Sequence, residues 1–350
     1  MEIDRAYCMS SFLMYRTTVD RNKCYSDRFS PFYVKFPSDR TPINTSDELL
    51  DRLSSVIEEK TKGKKCALAL SGGIDSAILL QLMPENTVAY TFKCVVPGIK
   101  VTDESETAKE YIKFARPELE HKVVPIYWED FEEYTPSLLA HKGEPTHSIE
   151  VQIYKAALQA KADGCEIFIF GETADCIYGG HSQLLSRDWT FGEFVDRWSF
   201  VMPHHVLREP MMILDPIKKY EKDGYIDVPH FLTYFESEPS LNFYMDACDL
   251  AGIDILAPYA HTIMGSELDL ERVRKGENKY IVRDLFKKLY PNFTIPKKTP
   301  MPRATNEWFK DWKGPIRDEF IPHCTDSMTG DQKWLVWCLE KFLNIIDNMI

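Results

Sequence analysis

The chain alternates between two patterns of apolar residues over its first half, and this alternation predicts the fold class. Short apolar runs typical of buried strands lie at residues 66–70, 88–96, 122–127 and 166–170. Helical spacing of apolar residues lies between them, most clearly at residues 103–114 and 148–162. Because strands that alternate with helices normally pair in parallel, we expect an α/β fold with a doubly wound, mostly parallel sheet.

The pattern is different on both sides of this region. Residues 10–18 and 32–36 have the composition of strands, and the turn residues between them predict a short N-terminal β-hairpin. Beyond residue 185 the strand signal fades, which predicts a helical C-terminal half. We therefore expect two parts, a hairpin with a linker at residues 1–45 and one large domain at residues 46–350.

Charge and cysteine content narrow the class of protein. A net charge of −12 argues against nucleic acid as a partner, because phosphate contacts need concentrated Lys and Arg. The nine cysteines include no CxxC pair, so neither a zinc ribbon nor a disulfide framework is expected. The first thirty residues lack the apolar core of a signal peptide, and no apolar run reaches about 18 residues. These features predict a cytoplasmic protein with reduced thiols and no membrane contact.

The most informative segment is SGGIDS at residues 71–76, which lies between the first buried strand and a helix. Its two glycines allow backbone N–H groups to approach an anion, and the positive end of the new helix points in the same direction. Asp75 beside a phosphate requires a divalent cation between them, which Mg²⁺ commonly provides. The structural alternative is a tight strand-to-helix turn that needs glycine.

A second polar segment follows the fourth predicted strand. Glu172 and Asp175 lie three residues apart, directly after residues 166–170 and before the glycine pair at 179–180. Ligands of open α/β sheets bind at the carboxyl ends of the strands, which is where these two carboxylates are expected. The structural alternative is a helix start, because acidic residues favour helix N-termini.

Together these segments resemble the PP-loop ATP pyrophosphatases, and most closely the synthetase domain of asparagine synthetase and β-lactam synthetase. SGGIDS is similar to the SGG(I/L)DS loop of that family, and FGETADCIYGG at residues 170–180 is similar to its SGEGADExFGG segment. Later segments follow in the expected order, including KYIVR at 279–283 and IPKKTPM at 295–301. The resemblance covers roughly residues 48–310 and implies an adenine nucleotide α-hydrolase-like sheet.

The resemblance also implies roles for individual residues. Asp75 and Asp175 would hold Mg²⁺ on the triphosphate, and Glu172 would face the incoming amine or the substrate. Lys298, with Lys297 as the alternative, would neutralise charge on the leaving pyrophosphate. The residues implied to contact ATP are Ala69, Ser71, Gly72, Gly73, Asp75, Ser76, Cys94, Phe170 and Gly171.

Several residues depart from the family pattern. Phe170 and Thr173 replace a serine and a glycine, Cys176 replaces the second glutamate, and His261 stands where an aspartate is usual. Residue 2 is Glu, and Cys8 cannot act as a terminal-amine nucleophile, so glutamine hydrolysis is not expected in this chain. The nitrogen donor would then be free ammonia, ammonia from a separate glutaminase, or an amine.

These observations predict an ATP-dependent ligase that forms AMP and pyrophosphate, adenylates a small-molecule carboxylate and joins it to ammonia or an amine. Two alternatives remain open at this stage. One is a PP-loop enzyme that activates a base carbonyl in RNA, against which the acidic composition argues. The other is a catalytically degenerate, nucleotide-binding subunit, which the changes at Phe170, Cys176 and His261 would favour.

Overall fold

The computed structural model describes residues 1–296 and 301–348. The strands, in chain order, are β1 (Glu2–Ile3), β2 (Lys23–Cys24), β3 (Thr41–Ile43), β4 (Cys66–Ala69), β5 (Thr87–Cys94), β6 (Glu120–Ile126), β7 (Ile167–Ile169), β8 (Glu221–Lys222), β9 (Tyr225–Ile226), β10 (Asp254–Leu256) and β11 (Thr262–Met264). The α-helices are α1 (Arg5–Tyr15), α2 (Ser46–Thr61), α3 (Ile74–Leu82), α4 (Ser105–Ala115), α5 (Trp128–Lys142), α6 (Ser148–Ala162), α7 (Ala174–Ile177), α8 (Phe191–Trp198), α9 (Asp215–Lys218), α10 (Val228–Phe231), α11 (Ser237–Ala251), α12 (Leu270–Arg274), α13 (Tyr280–Leu289), α14 (Thr305–Trp308) and α15 (Gly330–Ile346).

A five-stranded parallel sheet in the order β10-β7-β4-β5-β6 forms the centre of the fold. From β4 the chain adds β5 and then β6 on one side, and it returns to the other side of β4 for β7 and β10. The strand order therefore reverses between β4 and β7. Open α/β sheets bind ligands outside the carboxyl ends of the strands at such a reversal, and both predicted site segments begin there.

Helices cover both faces of this sheet because its strands are apolar on both sides. Ala67 and Phe168 face one apolar cluster, to which α1, α5, α6, α11 and α15 contribute. Leu68 and Ile169 face a second cluster on the other side, built with α2, α3, α4 and α13. Successive strand residues point to opposite faces, so a strand buried on both sides needs apolar residues at every position. The α/β, doubly wound expectation is confirmed.

The expectation of an N-terminal hairpin is wrong. Residues 5–15 form α1, where the side chain of Asp4 accepts a hydrogen bond from the Tyr7 N–H at 3.0 Å and so caps the helix. Residues 32–36 have no regular secondary structure. Cys8, Phe12 and Leu13 are fully buried in the first apolar cluster. A short apolar run does not by itself distinguish a buried helix from a strand, and here packing against α15 selects the helix.

Because the strand signal in the sequence fades beyond residue 185, the fifth strand of the sheet was not expected. β10 has only three residues, lies between Gly252 and Pro258, and pairs with β7. So short a segment has too few positions to show a period of two, and its pairing becomes visible only in the tertiary structure. Among the described helices, none combines the length and the apolar character needed to cross a membrane.

We predict that Phe12→Ala lowers the free energy of unfolding by about 3–5 kcal/mol, because the ring is fully buried among sheet-covering helices. Urea titration followed by far-UV circular dichroism would measure this. Ile316→Ala is the matched control, since Ile316 is 92% exposed and its truncation should change stability by less than about 0.5 kcal/mol. An equally small change for Phe12→Ala would show that the packing of α1 contributes little to the stability of the fold.

Candidate active site

The loop between β4 and α3 is braced by its own serines. Ser76 Oγ accepts a hydrogen bond from the Ser71 N–H at 3.0 Å, and Ser71 Oγ accepts one from the Gly73 N–H at 3.1 Å. The two hydroxyl oxygens are also 3.0 Å apart. This bonding holds the turn in shape ahead of the helix, whose N-terminal N–H groups favour an anion.

Three buried tyrosines hold the loop and the first turn of α3 from outside. The Tyr111 hydroxyl donates to the Gly72 carbonyl at 3.3 Å, and the Tyr259 hydroxyl donates to the Asp75 carbonyl at 3.2 Å. The Tyr290 hydroxyl donates to the carbonyl of Ala77 at 2.6 Å. They come from α4, from the turn after β10 and from the end of α13, so three separate elements fix the position of the loop.

Glu104 lies over the glycines of the loop. A Cβ atom added to Gly72 would lie 3.3 Å from Glu104 Oε1, so glycine permits this close approach. Burial raises the pKa of Glu104 to about 7, although its hydrogen bond from the Gly72 backbone acts in the opposite direction. Glu104 lies just before α4, at the start of the helix expected over residues 103–114, and it also lines the site.

The segment after β7 lies directly against this loop. A Cβ atom on Gly171 would be 3.1 Å from the Asp75 Cβ, so the two segments touch at a glycine. Phe170 is buried, with its ring centroid 5.0 Å from that of Tyr244 on α11. Thr173 has φ of +72°, which is uncommon for a residue other than glycine, and α7 begins immediately after it and carries Asp175.

Asp75 and Asp175 converge on one buried ammonium group, that of Lys279. Its Nζ lies 2.5 Å from both carboxylate oxygens of Asp75 and 3.0 Å from Asp175 Oδ1. Burial lowers the pKa of Lys279, but the charges of Asp175 and Asp75 outweigh it and raise the pKa to about 12. The two carboxylates predicted to share a cation therefore do converge, and the cation between them is a lysine.

Glu172 faces a separate polar cluster. Its Oε1 accepts a hydrogen bond from the Ser240 hydroxyl at 2.6 Å, and it is also hydrogen-bonded to the Tyr244 hydroxyl. Glu236 is buried nearby in a π-helical turn at Leu232–Glu236 and pairs with Arg16 at 2.5 Å. Burial raises the pKa of Glu236 to about 7; Arg16 lowers it and Glu172 raises it further. Carboxylates are thus grouped on this side of the site.

A cavity of about 300 Å³ opens where these parts meet. The residues expected to bind ATP, metal or substrate that line it are Ala69, Ser71, Gly72, Gly73, Asp75, Ser76, Phe170, Gly171, Glu172 and Asp175. Cys94 lies behind the wall, where its Sγ donates to the Pro302 carbonyl at 3.3 Å. Lys298 and its alternative Lys297 lie outside the described residues, although Pro296 and Met301 on either side of them line the cavity.

The cavity is also lined by Lys279, Arg283 and Tyr244, for which the sequence motifs predicted no role. The first two belong to the KYIVR segment and could have been found from it, since they lie at the residue before α13 and in its first turn. Tyr244 has no such signal, because it comes from the middle of a helix. Its approach to Glu172 depends on the packing of α11 against α6.

Two departures from the family pattern lie outside the lining of the cavity. His261 Nδ1 is 2.9 Å from the Asp39 carboxylate, and its backbone carbonyl faces Arg52, so it joins residues that precede the sheet to the turn after β10. Cys176 lies on α7, with its Sγ 3.6 Å from His181 Nε2. Neither residue lines the main cavity.

The carboxylates of the site would hold a magnesium ion only together with a bound ligand that supplies further oxygen atoms. Within residues 1–296 and 301–348 there is no group of three or more His, Cys, Asp or Glu side chains arranged to hold a metal. Two convergent carboxylates are nevertheless the usual protein share of a Mg²⁺ site, in which phosphate oxygens and waters complete the octahedron. Asp75 and Asp175 therefore fit Mg²⁺ that is bound together with a polyphosphate.

Two solved structures that resemble this chain are synthetases. The chain resembles an NH3-dependent NAD synthetase from Campylobacter jejuni at 18% identity, over 39% of this chain and 61% of that one, with a TM-score of 0.26. It resembles an NMN synthetase from Francisella tularensis at 14% identity, over 74% of this chain and 99% of that one, with a TM-score of 0.29. The chain thus spans about three fifths of the length of the NAD synthetase. No curated protein matches significantly.

The family comparison is more extensive. The asparagine synthase family model matches residues 48–243, which is more than half of the chain. The matched part begins in α2, contains β4 and β7 with the two loops that meet at the cavity, and ends on α11 beside Tyr244. Because the family model matches more than half of the chain, including both loops that line the cavity, the chain belongs to the asparagine synthase family.

Proposed function

We propose that this protein is an ATP-dependent ligase that forms AMP and pyrophosphate, adenylates a small-molecule carboxylate and transfers ammonia or an amine to it. One observation supports this most directly. The anion-binding loop after β4 and the carboxylates after β7 line the same cavity at the point where the strand order reverses. A nucleotide triphosphate on the loop would therefore lie beside Asp175 and Glu172.

In the first step a substrate carboxylate oxygen attacks the α-phosphorus of ATP, and the bond to pyrophosphate breaks. The loop N–H groups and the start of α3 bind the triphosphate, and Lys279 and Arg283 place two positive charges in the same cavity. We place Lys298 on the leaving pyrophosphate as a further cation. Mg²⁺ held by Asp75 and Asp175 would neutralise charge on the phosphates.

In the second step nitrogen attacks the acyl carbon, AMP leaves, and the nitrogen must lose a proton. We assign the acceptance of that proton to Glu172, which lies in the cavity and is oriented by Ser240 and Tyr244. Phe170, packed on Tyr244, closes the apolar side of this region. Amide formation could join two molecules or close a ring within one.

We also propose that residues 46–350 form the ATP-binding synthetase domain, to which the first 45 residues contribute directly. Arg16, just after α1, pairs with Glu236 beside Glu172, and its guanidinium lies 3.8 Å from the centroid of the Phe200 ring. The N-terminal segment would thus help to shape the acceptor side of the site. Ammonia could reach that side freely or from a separate glutaminase.

The function is tested by incubating the protein with Mg²⁺, ATP, hydroxylamine and a panel of carboxylic acids. An adenylating ligase releases AMP and pyrophosphate and forms a hydroxamate with the acid that it accepts. AMP release is followed by chromatography and the hydroxamate by its ferric complex. ATP binding without AMP formation from any acid would support a non-catalytic nucleotide-binding subunit. AMP formation only with added RNA would indicate base modification.

We predict that Gly180→Ala lowers the rate of pyrophosphate release by at least about 100-fold. A Cβ atom at residue 180 would overlap the Asp175 carboxylate and displace it from its position beside Asp75. Gly192→Ala is the matched control, because a Cβ there meets no atom within 4 Å and this variant should keep full activity. Circular dichroism would confirm that both variants fold. Full activity of folded Gly180→Ala would remove Asp175 from the proposed mechanism.

We predict that Glu172→Gln separates the two steps. Transfer to ammonia should fall by about 10²–10⁴-fold, the usual contribution of a general base. Transfer to hydroxylamine should fall as well, because its nitrogen also loses a proton on acylation, while adenylation, measured as exchange of labelled pyrophosphate into ATP, should change much less. An equal loss of pyrophosphate exchange would place Glu172 in adenylation or in substrate binding.

A further inference from the structure

The contact between Lys279, Asp75 and Asp175 has a consequence for metal binding. The Lys279 ammonium lies within 3.0 Å of oxygens from both carboxylates, and the lysine side chain is only 6% exposed. A Mg²⁺ ion binds carboxylate oxygens at about 2.0–2.1 Å. The ammonium therefore fills the space that a metal ion bridging these two residues would need.

The position of Lys279 is set by the fold around it. It has φ of +55° and immediately precedes α13, whose Ile281, Val282 and Leu285 are buried. The Arg283 N–H donates to the Lys279 carbonyl at 2.8 Å, which ties the residue to the first turn of the helix. A left-handed conformation at a residue other than glycine persists when its surroundings determine it. The packed first turn of α13 therefore fixes the position of the Lys279 ammonium.

Charge explains why a cation is needed at this position. Asp75 and Asp175 are partly buried, with 21% and 32% of their side chains exposed, and two neighbouring carboxylates repel each other. One ammonium offsets half of their charge, and a divalent ion would offset all of it. With both present, the ammonium and the metal ion would repel each other strongly at contact distance.

We propose that Lys279 is the resident counter-ion of Asp75 and Asp175, which holds the pair together without nucleotide and keeps divalent cations out. A divalent ion then enters only with a triphosphate, when Lys279 can leave the carboxylates for phosphate oxygens in the cavity that it already lines. The order of binding follows: the metal ion arrives as the nucleotide complex and does not bind first. The inference rests on the proposed function only for the identity of the nucleotide.

The test is direct titration with Mn²⁺ in the absence of nucleotide, with free Mn²⁺ followed by its electron paramagnetic resonance signal. The wild-type protein should bind no Mn²⁺ at this site. Lys279→Met should gain one Mn²⁺ site, with an affinity at least about tenfold above the detection limit that bounds the wild-type protein, because the competing charge is gone. Lys279→Arg, which keeps the charge, is the matched control and should gain none. The double variant K279M/D75N should lose the new site.

Two results would overturn the inference. One is a tight Mn²⁺ site in the nucleotide-free wild-type protein that Asp75→Asn removes, a measurement that needs no Lys279 variant to fold. The other is a folded Lys279→Met protein, checked by circular dichroism, that binds no more Mn²⁺ than the wild type. Neither measurement uses turnover, so failure of every acid in the hydroxamate assay would count against the proposed function and leave this inference standing.

Discussion

The parallel pairing of β4 with β7 is the constraint on which the site depends. Their backbone register sets Cys66 opposite Ile167 and Leu68 opposite Ile169, so both strands end at the same level. The chain reaches β7 only after it has built β5 and β6 on the other side of β4. Two segments about 100 residues apart in sequence therefore meet, and Gly171 gives them room to touch beside Asp75.

Once these segments meet, the site has to accommodate several acidic groups in a partly buried space. The structure does so in different ways for different carboxylates. Asp75 and Asp175 share the ammonium of Lys279, and Glu236 is paired with Arg16. Glu104 accepts a hydrogen bond from the loop backbone instead. Burying a charge is costly unless it is paired or hydrogen-bonded, so these partners are a condition of the fold as well as part of the chemistry.

The two sides of the cavity therefore differ in character. The side under the loop after β4 combines N–H donors with Lys279 and Arg283 and suits phosphates. The side built by α11 and the π-helical turn carries carboxylates and hydroxyl groups and suits a nitrogen nucleophile. Short π-helical segments often occur at functional sites, and this one places Glu236 behind Glu172. Such a division supports the proposed reaction, in which pyrophosphate would leave on one side and nitrogen would arrive on the other.

Local sequence alone determined the core strands, the order of the elements around them and the two segments that bear the chemistry. Each of these depends on residues close together in the chain, such as an apolar run that ends in Gly72 and Gly73. Tertiary structure decided the rest. It made a helix of residues 5–15, added β10 to the sheet, and brought Lys279, Arg16 and Tyr244 to the carboxylates from distant parts of the chain. The physical reason is that pairing and packing over such separations depend on the whole core, while periodicity and turn chemistry report only on neighbouring residues.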